Sequence, residues 1–390
     1  MNLFDSLPKP FFVLAPMDDV TDTVFRQVVA STAPPDLYFT EFVNVEALQS
    51  KGREKTLPRL RFTDKERPII AQIWGKDPEN FYKAAQQIAD GSLIDEINWL
   101  RAKAGNAVQG SKEERASRTN GTVNERQTPA DTAMRPKRAG MSGFAGQQGS
   151  AGLSFAGVDL NFGCPEKAVV KNGLCIAMVN NRPLAGEIIQ AVKEGAGLPA
   201  GQAGPLPVSV KTRLGLQQVD FTWHEFLLGQ KLNMLTVHGR TAKQMSKVPA
   251  NWEHIGEVRK LRDKLSPTTL IVGNGDVKDK ISGLELAKKY QLDGIMIGRG
   301  IFDDPFVFAP PAGGQTSPWA GHTKDQKIAL YRRHVELFAE TWQNNERKVH
   351  TLNKFCKVYI NGFNGAKELR EKLMAARSTD ELLSLLDQGQ

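Results

Sequence analysis

Along the first 310 positions, apolar runs of a few residues alternate with segments whose apolar residues fall three and four apart. The runs are FFVLA (11–15), LYFTE (37–41), IIAQIW (69–74), VDLNF (158–162), PVSVKTR (207–213), LNMLTVHGR (232–240), TTLIVGNGD (268–276) and DGIMIGRG (293–300). They are short, rich in Val, Ile and Leu, and bounded by Gly, Pro or charge, as buried parallel strands are. DPENFYKAAQQIAD (77–90), LAGEIIQAVKEG (184–195), HIGEVRKLRDKL (254–265) and ISGLELAKKY (281–290) have helical spacing, and a further helix begins near Thr21 or Asp22, either able to cap it. Eight strand and helix units within 1–310 predict an α/β fold: a closed (β/α)8 TIM barrel rather than an open sheet.

Beyond Pro310 the rhythm changes. DQKIALYRRHVELFAETW, TLNKFCKVYING, GAKELREKLMAA and TDELLSLLDQ all carry apolar residues at i, i+3 and i+4, predicting a small helical domain over 320–390 with Phe355 and Cys356 in its core. One stretch fits neither pattern. Residues 99–152 are rich in Gly, Ala, Ser, Thr, Asn and Gln with few large apolar groups, so little burial offsets the entropy of ordering them; the reading is a flexible insertion in the barrel.

Composition narrows the class. A chain of 390 residues that is 40% hydrophobic can bury a large core. Cys164, Cys175 and Cys356 form no even set and no CxxC clamp, which favours a reducing compartment. The start, MNLFDSLPKPFFVLAP, has no charged leader before a long apolar segment, and no run is long enough to span a bilayer, so the expectation is a cytoplasmic protein without a membrane partner. No obligate protein partner is inferred. The net charge of +8 is concentrated: 101–138 hold nine Lys or Arg against four Asp or Glu, and 320–390 hold twelve against nine. A neutral body with basic appendages suits a polyanion beside a pocket.

Polar residues recur where the strands end: Gln72, Asn98 or Asn161, Cys164, Lys211 with Arg213, His238 with Arg240, Asn274 with Asp276, and Arg299. On a barrel these ends share one mouth, where loops converge on a ligand. In VDLNFGCPEKAVVKNG (158–173), Val158 and Leu160 share one strand face while Asp159 and Asn161 share the other. Gly163 allows a close backbone approach to a flat ligand, and Pro165 restricts Cys164 to extended geometry. Gly273, Gly275, Gly298 and Gly300 flank the last two strand ends, where exposed backbone N–H groups suit a phosphate. Lys211, Gln72 and His238 offer the cation and hydrogen bonds that a flavin ring needs. No GxGxxG or P-loop match stands in a supporting context. Six histidines without HExxH spacing, and Asp18, Asp19 and Asp22 without evident partner ligands, indicate no metal site. A Cys164–His238 hydrolase pair would leave the phosphate end unexplained.

Together APMDDVTDTVFR (15–26), TEFVN (40–44), AQIWG (71–75), VDLNFGCPEKAVVKNG (158–173), VSVKTRLG (208–215), TVHGRT (236–241), GNGDV (273–277) and DGIMIGRGIFDDPF (293–306) resemble the tRNA-dihydrouridine synthase family, with NFGCP, VKTRLG and HGRT in this order the most specific part. The resemblance implies FMN as cofactor, NADPH as reductant, tRNA as partner, a catalytic barrel at 1–310 and a tRNA-binding domain at 320–390. It makes Cys164 the catalytic acid. It assigns Pro16, Met17, Gln72, Lys211, His238, Asn274, Gly275, Asp276, Gly298 and Arg299 to the cofactor, and Asn161, Arg213 and Arg240 to the substrate. Asp18, Asp19 and Cys175 depart from the family's usual residues. The alternatives are an FMN oxidoreductase of free pyrimidines, against which the basic helical tail speaks, and a noncatalytic RNA-binding barrel.

Overall fold

A computed structural model describes residues 3–102, 153–197, 205–309, 318–343 and 346–388. Most of the expected insertion therefore lies outside the described residues. Nine strands are β1 Phe11–Leu14, β2 Tyr38–Phe39, β3 Val43–Asn44, β4 Ile69–Trp74, β5 Gly157–Phe162, β6 Val208–Arg213, β7 Met234–His238, β8 Leu270–Asn274 and β9 Gly294–Ile297. All pair in parallel; eight follow the order β1-β9-β8-β7-β6-β5-β4-β2 with β3 beside β4, and a parallel bridge from Val13 to Leu37 joins β1 to the start of β2, closing the ring. The principal outer helices are α1 Thr23–Thr32, α2 Pro78–Ala89, α3 Arg182–Gly197, α4 Phe221–Gly229, α5 Trp252–Leu265 and α6 Lys280–Tyr290. The predicted barrel is present.

One strand is broken where the sequence pattern runs on. The run 37–41 splits because side chains replace ladder bonds: Gln72 N–H donates to Thr40 Oγ1, Thr40 Oγ1 donates to the Glu41 carbonyl, and Asp19 N–H donates to the Glu41 carboxylate. β3 then pairs with the far end of β4.

Strand alternation sorts the barrel into two apolar regions. Val158, Leu160, Phe162, Val210, Val237, Ile271 and Ile295 point outward into the core shared with the helices. Phe11, Val13, Ile70, Met234, Val272 and Met296 point inward and fill the lower barrel, with Phe4 packed among them. Above that plug the inward positions turn polar. Gln72, Asp159 and Ser209 lie in register across β4, β5 and β6. They form a buried row in which Gln72 Nε2 and Ser209 Oγ both donate to the Asp159 carboxylate. The next inward positions are Lys211 and Arg213 on β6, Thr236 and His238 beside them on β7, and Asn274 beside His238 on β8.

The outer ring is tight where α2 meets α3. A Cβ on Gly195 would lie 2.4 Å from the Tyr82 carbonyl oxygen and 3.0 Å from Ala85 Cβ. Gly195→Val is expected to cost about 1–3 kcal/mol by forcing the helices apart, read by denaturant unfolding.

The tail forms four helices, α7 Lys324–Thr341, α8 Asn353–Tyr359, α9 Ala366–Ala375 and α10 Thr379–Gln388. As expected, Phe355 and Cys356 are buried. The tail also shares its core with the barrel: Phe25 of α1 stacks on Phe355 at 4.8 Å, and Trp342 Nε1 donates to Asp22, the residue that caps α1. Thr21 instead hydrogen-bonds Met17, so of the two capping candidates Asp22 is the cap.

Candidate active site

The polar strand ends surround a cavity of about 720 Å³ at the C-terminal mouth. Its wall includes Pro16, Met17, Lys211, Arg213, His238, Arg240, Asn274, Gly275, Asp276, Gly298 and Arg299. Eleven residues singled out in the sequence are thus brought together, in a volume typical of a small-molecule site. Asn98 is not among them. It lies in the helical segment 92–102 and lines a different hollow with Arg61 and Glu340, so the strand-end position belongs to Asn161.

Gln72 sits one layer below the wall, fully buried. Its Nε2 donates to Asp159 at 2.6 Å, while its Oε1 has no partner. An unpaired buried carbonyl oxygen costs on the order of 1–3 kcal/mol, and a ligand donor would remove that cost. Burial lifts the Asp159 carboxyl to about 6 despite its donors Ser209 and Gln72. Lys211 is lowered to about 8, chiefly by burial and then by Arg213, and keeps its charge below that pH. His238 is held neutral by burial and by the surrounding Arg213, Lys211, Arg240 and Arg299. The floor therefore offers one ammonium and one neutral imidazole.

The opposite end is cationic and glycine-rich. Gly275 has φ +130°, a conformation that disfavours a side chain, and a Cβ there would lie 2.6 Å from Ala250 Cβ. Gly298 lines the cavity, and a Cβ there would be in ordinary contact with Ala15 Cβ at 3.5 Å. Asn274 Nδ2 donates to the Met296 carbonyl and Trp252 Nε1 to the Gly275 carbonyl, fixing both strand ends. Arg240 is almost fully buried: Nε donates to the Val248 carbonyl at 2.6 Å and Nη2 to Asp276. Arg299 reaches Asp276 at 3.2 Å with its side chain 62% exposed, so it is free to turn toward an anion. These features fit a planar ligand with an anionic tail.

Cys164 stands at the rim beside Pro165, which lines the cavity. Asn161 Oδ1 accepts from the N–H groups of Gly163 and Cys164, both at 3.1 Å, and Arg213 Nε donates to the Gly163 carbonyl at 2.9 Å. Asn161 and Arg213 therefore hold the turn that presents the thiol. The close neighbour that requires Gly163 is β6: a Cβ would lie 3.3 Å from the Lys211 carbonyl oxygen. The Cys164 thiol is lowered to about 6, first by a hydrogen bond from the Cys175 thiol and against the effect of burial.

Sequence reasoning missed the ion network on the other rim. Asp18, Asp19 and buried Glu41 cluster there, and Arg59 reaches all three. Arg347, from the tail, pairs with Glu41, Asp19 and Asp22, and Lys354 Nζ donates to the Asp19 carbonyl. Burial raises Glu41 to about 7 against the pull of Arg347. The spacing of Asp18 and Asp19 signals acidity, but partners more than 300 residues away leave no local trace.

A parallel barrel whose C-terminal mouth joins a cationic, glycine-lined cavity to a rim thiol has the build of a barrel enzyme with a site for an anionic small molecule. The dihydrouridine synthase family model matches residues 13–99 and 147–389. The chain is 39% identical over 390 residues to the probable tRNA-dihydrouridine synthase 2 of Bacillus subtilis strain 168, covering 99% of this chain and 96% of that protein. It is 37% identical to the probable tRNA-dihydrouridine synthase of Staphylococcus aureus strain COL, covering 99% and 95%. The chain belongs to the dihydrouridine synthase family.

Proposed function

We propose that this protein reduces the C5–C6 double bond of uridines in tRNA, with FMN as cofactor and NADPH as reductant. The observation that carries the reading is the rim turn, in which Asn161 and Arg213 hold Cys164 beside the cationic cavity. When bound, FMN supplies the hydride that C6 receives. Gln72, through its unpaired Oε1, with Lys211 and His238 would hold the ring, and Pro16 and Met17 would border it. Asn274, Gly275, Asp276, Gly298 and Arg299 would hold the ribityl phosphate, with Arg299 the mobile cation. Cys164 delivers the proton to C5: its S–H bond breaks as the C5–H bond forms. Lys211 and Arg213 stabilise the negative charge that develops on the base before that transfer.

Arg240 has little freedom to meet RNA directly; pinned by Asp276 and Val248, it shapes the pocket wall. In the tail, Arg332 and Arg333 pair with acidic neighbours, Arg370 donates to the Ile360 carbonyl and Lys354 to Asp19. Lys357 and Lys367 are exposed and are the tail cations best placed to meet phosphate. The base must leave its stack to reach Cys164, at a cost of roughly a few kcal/mol that backbone contacts offset. The domain reading follows: a catalytic barrel over 1–310, an insertion over 99–152 and a tRNA-binding domain over 320–390. No helix among the described residues is long and apolar enough to cross a membrane.

Anaerobic reoxidation tests the reading. Protein loaded with FMN and reduced by NADPH is expected to regain the flavin's blue absorption on adding unmodified tRNA, and not on adding free uracil. Reoxidation by uracil alone would favour a free-pyrimidine oxidoreductase; failure to bind flavin would favour a noncatalytic barrel. The cavity itself is tested by Gly298→Leu, which adds a side chain to the cavity wall beside Met17. FMN affinity is expected to fall by about tenfold or more with unfolding unchanged, read by flavin fluorescence titration.

A further inference from the structure

Pro16 and Met17 border the cavity, and the residues after them form a turn that is tied back to Met17. Met17 N–H donates to Thr21 Oγ1 at 2.8 Å, and the Met17 carbonyl accepts from the N–H groups of Val20 and Thr21 at 3.2 and 3.0 Å. Asp19, within the turn, has φ +54°, a left-handed conformation that a residue with a side chain keeps only where its surroundings hold it. The barrel and the tail both hold it. From the barrel, Glu41 accepts the Asp19 N–H at 2.8 Å and Arg59 meets the Asp19 carboxylate at 3.2 Å. From the tail, Lys354 Nζ donates to the Asp19 carbonyl, and Arg347 stands 3.7 Å from the Asp19 carboxylate. Arg347 is the hub of these contacts. Its side chain is 10% exposed, its Nη2 donates to fully buried Glu41, and its Nη1 stands 3.6 Å from Asp22, which ends the turn and caps α1. The guanidinium lies 4.8 Å from the centre of the Trp342 ring, and that of Arg61, from the barrel, lies 4.9 Å from the same centre. Apolar contacts such as Phe25 on Phe355 already dock the tail, so three barrel carboxylates gathered on one tail cation bear on the turn and not on docking alone.

We infer that Arg347 is a positioning residue for the cofactor: from the tail it holds the turn 17–22, and so keeps Pro16 and Met17 against the flavin ring. The inference rests on the flavin reading of the cavity and deepens it, since the tail then completes one wall of the cofactor site. Arg347 does not line the cavity; it acts through Asp19, Asp22 and Glu41. Without it, Arg59 is the cation left to Glu41 and Asp19 among the described residues, and Asp22 loses its ion pair. The buried Glu41 carboxylate then lacks a partner that offset its desolvation, and Asp19 is free to leave the left-handed region and loosen the turn that ends at Met17. Two losses follow, and they separate. Stability falls because a buried carboxylate is short of a partner, and making residue 41 neutral removes that part. Flavin binding weakens because the turn has lost its hold, and making residue 41 neutral does not restore it.

The test compares the full-length parent, Arg347→Met, and the double variant Arg347→Met with Glu41→Gln at about pH 8, above the value of about 7 to which burial raises Glu41. FMN affinity is read by fluorescence titration of the flavin-free protein, and stability by the denaturant midpoint without FMN. In Arg347→Met the midpoint falls and FMN affinity drops about tenfold. In the double variant the midpoint recovers most of its loss while FMN affinity stays low. In both, the visible absorption band of the bound flavin moves toward that of free FMN. Lys354→Met, which removes the contact to the Asp19 carbonyl, lowers FMN affinity by a smaller factor and, with the double variant, carries the test should Arg347→Met fold poorly. Arg332→Met, whose partners Glu336 and Asp387 lie within the tail, leaves FMN affinity unchanged. FMN affinity equal to the parent's in the folded Arg347 variants, or recovering in step with the midpoint in the double variant, overturns the inference. A parent that binds no FMN overturns the flavin reading and this inference with it.

Discussion

Cys164→Ala protein is expected to bind FMN and oxidise NADPH at nearly the parent rate while forming dihydrouridine in tRNA about 100-fold more slowly or worse, the usual loss when a positioned acid is removed. The split follows from where the residue stands. Cys164 is on the rim turn, and its hydrogen bonds to Asn161 run through its own backbone, so alanine keeps the turn. The ring-holding candidates Gln72, Lys211 and His238 belong to other strands. The pH profile adds a second signature. In the free protein the thiol is lowered to about 6, chiefly by the Cys175 hydrogen bond, so the protonated form is complete below that value and is lost as pH rises through it. Anionic RNA and cofactor beside the sulfur raise it, so in turnover the alkaline limb lies above that of the free protein. The alanine variant should show a low rate without that limb. Rapid-quench measurement of dihydrouridine against stopped-flow flavin reduction reads both. Equal slowing of the two steps would mean that the substitution damages flavin binding instead.

Arg26→Met is expected to lower unfolding free energy by about 3–5 kcal/mol, the loss seen when one member of a buried ion pair is removed. Arg26 and Glu66 are both fully buried and meet at 2.6 Å. Arg26 also donates to the carbonyls of Thr21 and Arg61, and Glu66 accepts from Thr23 and Thr63. Burial pushes the Glu66 pKa up, and Arg26, Thr23 and Thr63 oppose that without cancelling it. Without Arg26 only Thr23 and Thr63 oppose the burial effect. Glu66 already takes up a proton more readily when folded than when unfolded, and losing Arg26 widens that difference, so the variant loses more stability than the parent as pH rises above the ordinary glutamate range. Denaturant unfolding at several pH values measures this. A deficit below about 1 kcal/mol, flat with pH, would show that the site relaxes or admits water. Because Thr21 and Arg61 flank the docking site of Trp342, flavin and tRNA binding should weaken together.

The barrel was legible because period-two alternation and strand length are local properties. VDLNF shows its two faces directly: Val158, Leu160 and Phe162 reach the outer core, while Asp159 and Asn161 turn inward. The glycine-lined side of the cavity was legible for the same reason, since Gly275 and Gly298 follow their strands by one residue. What was not legible depends on partners distant in sequence. The carboxamide oxygen of Asn161 holds the Cys164 turn, and Arg240 is held by Asp276 and the Val248 carbonyl, contacts that strand-end position alone does not announce. The helical tail reads as a separate unit because its amphipathic spacing does not reveal what its apolar faces cover. In the fold they cover Phe25, and Arg347 reaches across to Glu41. Deleting the tail would therefore expose part of the barrel's own core, so substitution of Lys357 and Lys367 is the cleaner probe of RNA contact.

The most direct measurement is nucleoside mass analysis of an unmodified tRNA after incubation with the purified protein, FMN and NADPH, beside the Cys164→Ala variant under the same conditions. The account predicts uridine that has gained two hydrogens with the parent and almost none with the variant, although both consume NADPH. Unreduced uridine with a parent protein that binds and reduces FMN, or equal dihydrouridine from the two proteins, would contradict it.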